Sequence, residues 1–287
     1  MIANLKTTAG CLGIGLLLSA CASDPTRDAG RGTAGQLDLT GGYAAIVRIA
    51  DATAAAGDCV SAIGLYRRAS ETWPLDGDVR IKLGHCFANL KAFNDAIASY
   101  QTGLKLTPGN IDARRGLGNV YIALDQPDLA LPQFEAAQKI DPNDARIYNS
   151  LGVVLDMQGD HRSAQNKYRA GLAIEPSNIS LLNNLGLSLA LSGQFDEAIT
   201  LLKPVAIHPA ATARTRQNLA LIYGLAGDSE QAARIARLDL DEASVRKNIA
   251  YYGTLRQLKD KARGVAIGTT TTPAQGGPAQ PTDQPTK

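Results

Sequence analysis

The chain has little of what usually marks a catalyst. Its three histidines, His85, His161 and His208, fall at unrelated places, and none stands at a metal-ligand spacing such as HExxH. Neither a Gly-rich phosphate loop nor a GxSxG elbow occurs. Charge of one sign is not in excess. A net charge of +2 points neither to nucleic acid nor to an acidic solvating tail. Aromatic residues are only 5% of the chain and are mostly Tyr, while Ala and Leu are abundant, a balance that suits helices better than sheets. No apolar run is long enough to span a bilayer comfortably; the longest lies between Ala9 and Ala20. The expectation is an all-α chain that is no enzyme, takes no cofactor or metal, binds no nucleic acid, and acts through protein partners.

What is present begins with an address. Lys6 and the terminal amine form a short positive region ahead of the apolar run, so residues 1–20 read as a secretory signal peptide. Leu18-Ser19-Ala20-Cys21 resembles a bacterial lipobox. That resemblance implies cleavage before Cys21 and a diacylglycerol thioether on its sulfur. Ala22, where Asp would favour inner-membrane retention, implies the outer membrane. An ordinary signal peptide with a chance cysteine is the plainer alternative. Residues 21–42 would then be the lipidated cysteine and a flexible tether of Gly, Asp, Thr and Ala, reaching roughly 25 Å.

From residue 43 the chain repeats every 34 residues. One column holds Ile49, Leu83, Leu117, Leu151, Leu185 and Leu219. The next holds Ala50, Gly84, Gly118, Gly152, Gly186 and Ala220. A third is alanine throughout: Ala62, Ala96, Ala130, Ala164, Ala198 and Ala232. Four residues on stand Tyr66, Tyr100, Phe134 and Tyr168, then Leu202 and Ala236. Pro74, Pro108, Pro142 and Pro176 close their units, because proline lacks an N–H and bars helical geometry in the residue before it. Gly57-Asp58, Gly159-Asp160 and Gly227-Asp228 mark turns inside units, with the Asp placed to cap a second helix.

These columns resemble the tetratricopeptide repeat (TPR). The resemblance implies a right-handed superhelix of six helix-turn-helix units over residues 43–246, divided as 43–76, 77–110, 111–144, 145–178, 179–212 and 213–246. Residues 247–263, with Ile249, Tyr252, Leu255 and Leu258 at helical spacing, read as a capping helix. Residues 264–287 read as a disordered Thr/Pro/Gln-rich tail. Family groove positions fall near the second, fifth, ninth and twelfth of each unit. They select a polar ladder of Asn119, Asn149, Asn183 and Gln217 and an apolar strip of Ile122, Val153, Leu187 and Leu221, with Arg115 beside Asn119. A bound extended peptide would meet the ladder with its backbone and the strip with its side chains.

Cys59 opens the second helix of unit one and Cys86 lies late in the first helix of unit two. Adjacent antiparallel helices would bring them near each other. A disulfide, allowed in the periplasm, and a pair of buried thiols both fit. As a whole, lipobox, tether, repeats and loose tail resemble the TadD-type TPR lipoproteins of tight-adherence (Flp) pilus systems, as does the run from Gly57 to Ala69. That resemblance implies a lipid-anchored, periplasm-facing assembly factor for an outer-membrane secretin or another pilus component. A type IV pilus pilotin, or a general envelope scaffold recruiting cell-wall enzymes, is the alternative.

Overall fold

The computed structural model describes residues 39–258 apart from Ala210, with side chains from Gly42 onward. The signal peptide, Cys21, most of the tether and the tail lie outside the described residues. The described chain is helical throughout. Six hairpins pair α1 (Leu39–Ala55) with α2 (Cys59–Thr72), α3 (Gly77–Asn89) with α4 (Phe93–Leu106), and α5 (Ile111–Ala123) with α6 (Pro127–Ile140). They continue as α7 (Ala145–Met157) with α8 (His161–Ile174), α9 (Ile179–Leu191) with α10 (Phe195–Ala206), and α11 (Ala213–Ala226) with α12 (Ser229–Ala236). A last helix, α13 (Glu242–Gln257), packs on α11 and α12.

Local chemistry explains the boundaries. Asp58, Asp160 and Asp228 each accept a backbone N–H from the first turn of the helix that follows, at 3.0, 3.1 and 3.0 Å. First helices are capped the same way by Asp76, Asn110, Asp144, Asn178 and Thr212. The turn within every unit needs one residue in the left-handed region. Glycine supplies it four times, at Gly57, Gly159, Gly193 and Gly227. Lys91 (φ 59°) and Asp125 (φ 56°) do the same in units two and three.

The repeat columns form the core. All six alanines of the third column are fully buried, as are Phe134, Leu202 and Ala236 of the aromatic column, with its three tyrosines at most 2% exposed. Leu83, Leu117, Leu151, Leu185 and Leu219 are at most 4% exposed, each stabilising the array by roughly 1.5–3 kcal/mol. The glycine beside four of these leucines has a specific cause. A β-carbon on Gly84, Gly118 or Gly186 would stand 2.6 Å from Tyr100, Phe134 or Leu202 of its own hairpin. The small residue makes room for the large side chain of its unit's second helix.

Three expectations are corrected. Ile49, first of the leucine column, is 53% exposed, because among the described residues no hairpin precedes α1 to cover that face. The tether does not run to residue 42, since α1 begins at Leu39. The capping helix starts five residues before 247. Asp241 caps it by accepting the Ser244 N–H at 2.7 Å, and α12 ends earlier, at Ala236. Its buried face is Val245, Asn248, Tyr252 and Leu255, with Ile249 and Leu258 half-buried. Residues 259–263 are outside the described chain.

Candidate protein-binding groove

The first helices of successive hairpins lie side by side, α3 against α5, α5 against α7, α7 against α9 and α9 against α11. They carry the predicted groove residues. Exposure along this surface is uneven. In units two to four it is open: Asp78, Asp112, Asn119 and Arg146 are exposed, and His85, Arg115, Ile122, Asn149, Val153 and Asp156 are half-buried. In units five and six it is largely closed, with Ser180 and Arg214 exposed and Gln217 half-buried at its edge. Asn183, Leu187, Ala190, Leu221 and Gly224 are all buried.

The polar ladder is therefore not a free row. Asn183, only 5% exposed, donates to Thr215 Oγ1 at 3.1 Å and accepts from Asn218 Nδ2 at 3.2 Å. Asn149 accepts from Asn184 Nδ2 at 2.8 Å. These amides join α7 to α9 and α9 to α11. Burial in an apolar interface demands that they be paired, and they pair with one another rather than with a ligand. Gln217 is half-buried. The apolar strip divides likewise, with Ile122 and Val153 reachable and Leu187 and Leu221 at 9% and 7% exposure inside the core. Of the predicted residues, Arg115, Asn119, Ile122, Asn149 and Val153 share the open surface. Arg115 is not a free cation there, because its guanidinium meets Asp112 at 3.0 Å.

Sequence reasoning missed the polar junction at the end of the open stretch. Asp156 accepts from Ser188 Oγ at 2.7 Å and Tyr168 OH at 2.9 Å, and its other contact is His161 Nδ1 at 2.8 Å. Burial first, and the Asp156 charge second, push the Tyr168 phenol well above its ordinary value. The signal was a carboxylate in a groove column otherwise made of Ala, Ile and Gly. His85, also in the groove, contacts Tyr100 OH through Nδ1 at 2.8 Å, and burial lowers its pKa. Between α1 and α3 lies an open cleft of about 370 Å³ lined by Tyr43, Asp51, Asp76, Asp78 and Lys82. It extends the polar surface to the first unit. There Lys82 pairs with Asp51 at 2.8 Å and Tyr43 donates to Asp76. Trp73 is 44% exposed and leans on the Tyr43 ring at 5.7 Å between centroids.

Cys59 and Cys86 are both buried thiols, and they meet across the α2–α3 contact. Among the described residues no cluster of His, Cys, Asp and Glu is arranged to hold a metal, and no helix is long and apolar enough to cross a membrane.

Repeated hairpins, a laminated core and a half-open face of first helices define a helical-repeat scaffold for protein–protein interaction. Tetratricopeptide-repeat families match residues 47–111, 90–152, 157–212 and 213–237, and the chain belongs to the tetratricopeptide-repeat proteins. No curated protein matches it. Among solved structures, a MamA protein is similar at 27% identity, with 56% of this chain and 88% of that one covered and a TM-score of 0.52. A tetratricopeptide repeat protein from Parabacteroides merdae covers 82% of this chain and 93% of its own at 16% identity, with a TM-score of 0.65. Pseudomonas aeruginosa pilF covers 74% and 98% at 16% identity, with a TM-score of 0.61. These last two show the fold alone.

Proposed function

We propose that this protein is a lipid-anchored, periplasm-facing lipoprotein of the outer membrane. In this reading it catalyses nothing and holds a segment of a pilus assembly component, the secretin of a tight-adherence (Flp) pilus first among them. The observation that carries the binding role is the open stretch of units two to four. It offers hydrogen-bonding side chains such as Asn119 beside half-buried Ile122 and Val153, a mixed surface suited to an extended or helical peptide. The lipobox at Leu18–Cys21 supports the anchor, and the layout of the whole chain supports the pilus setting.

The test is the amount of SDS-resistant secretin multimer in the outer membrane with and without this gene. Loss of the multimer, or its relocation to the inner membrane, is the expected result. An unchanged multimer removes the secretin role and turns the search to cell-wall enzymes as partners of the same groove.

A further inference from the structure

We propose that Cys59 and Cys86 are a built-in disulfide site that staples the terminal hairpin, α1 with α2, to the rest of the array. Cys59 is the first residue of α2 and Cys86 sits in the last turn of α3. Both side chains are buried where α2 packs on α3, near enough for Cys59 to act on the ionisation of the Cys86 thiol. Asn89, one turn on in α3, reaches the Cys59 sulfur through Nδ2 at 3.7 Å. Both sulfurs also lie near the Tyr66 phenol. Apart from these two, no described residue is a cysteine, so each has one partner within the fold.

The place matches the need. A hairpin inside a repeat array is held by a neighbour on each side, whereas a terminal one is held on one side only and opens first. Here the terminal unit is also the weakest in signature. Thr53 stands where Phe87 and Tyr121 fill units two and three, and Ile49 is exposed. A covalent link from α2 to α3 ties that unit across the interface it makes among the described residues.

Bridge formation is a thiol–disulfide exchange with a disulfide donor of the envelope, a setting that rests on the export reading above. One thiol of the pair, as thiolate, displaces a donor sulfur to give a mixed disulfide. The other thiolate then displaces the remaining donor sulfur. An electron pair and the two thiol protons pass to the donor, which leaves as a dithiol. At 4% and 2% exposure the folded thiols are out of a donor's reach, and burial pushes Cys86 up to about 12. Exchange therefore belongs to folding, or to moments when the terminal hairpin is open.

The experiment uses the full chain, reduced, unfolded in urea and refolded in a glutathione redox buffer. Peptide mass spectrometry after alkylation under denaturing conditions is expected to recover Cys59 linked to Cys86. The oxidised protein should melt at least about 5 °C above the reduced one. Cys59→Ser and Cys86→Ser, each unable to bridge, should show no such difference between redox states. Recovery of both residues fully alkylated, or of glutathione on each, overturns the proposal, as does an oxidised protein that melts no higher. Because the buffer supplies the donor, this outcome does not depend on export. A failure of the export reading shows separately, as thiols that stay free in protein alkylated directly from cells.

Discussion

The ring of Phe134 in α6 lies on Gly118 of α5 so closely that a β-carbon there would stand 2.6 Å from its tip. Phe134 is fully buried and cannot swing aside into water. In an exposed helix the change from glycine to alanine stabilises by about 1 kcal/mol. At Gly118 that gain is outweighed by overpacking of about 1–3 kcal/mol. Gly118→Ala should therefore lower the urea midpoint. Gly64→Ala, in α2 with nothing near the added carbon, should raise it. Two shifts of the same sign would refute the assignment of Gly118 to ring contact.

The turn residues Lys91 and Asp125 occupy backbone geometry that glycine takes in the other four units. A left-handed conformation costs an L-residue roughly 1–2 kcal/mol, partly offset on replacement by the greater freedom of glycine in the unfolded chain. Lys91→Gly is expected to stabilise by about 0.5 kcal/mol. Chemical denaturation reads this directly, and an equal or lower midpoint counts against it.

Asn183 and Asn119 both fall at groove positions of the repeat but differ in surroundings. Asn183→Ala leaves the Asn218 amide and the Thr215 hydroxyl short of a buried partner and should cost about 1–3 kcal/mol. Asn119 is exposed, so Asn119→Ala should change stability by no more than about 0.5 kcal/mol and act on partner affinity instead. If thermal melting ranks the two variants the other way, the division of the groove into open and closed parts is wrong.

Arg216 in α11 grips Asp239, in the turn between α12 and α13, and holds its carboxyl below the usual carboxylate range. A carboxylate whose folded pKa is depressed contributes stability that is complete above its unfolded value, near about 4, and lost as pH falls through the folded one. The melting temperature should therefore drop below about pH 4, and Asp239→Asn should flatten that part of the profile. An identical acid limb in the variant would show that this pair carries no linkage.

Much of the architecture was legible because a period of 34 residues repeats both the apolar columns and the helix stops. Six hairpins follow from Leu, Gly, Ala and aromatic columns whose burial every unit reproduces, apart from Ile49 at the open end. The groove was less legible. Its positions were found, but Asn149 and Asn183 were read as ligand-facing when they pair with Asn184, Asn218 and Thr215. An amide looks the same in sequence whether water or a neighbouring helix satisfies it.

The sequence by itself determined that this chain folds as helical hairpins stacked at a period of 34 residues. That is a local relation repeated along the chain, set by backbone sterics and by a periodic apolar pattern. Only the tertiary structure decided which part of the first-helix face stays open. It also decided that α13 begins early and packs on α11 and α12. Each of those depends on a side chain contributed by another helix, and burial belongs to the packed assembly of helices rather than to any residue within one.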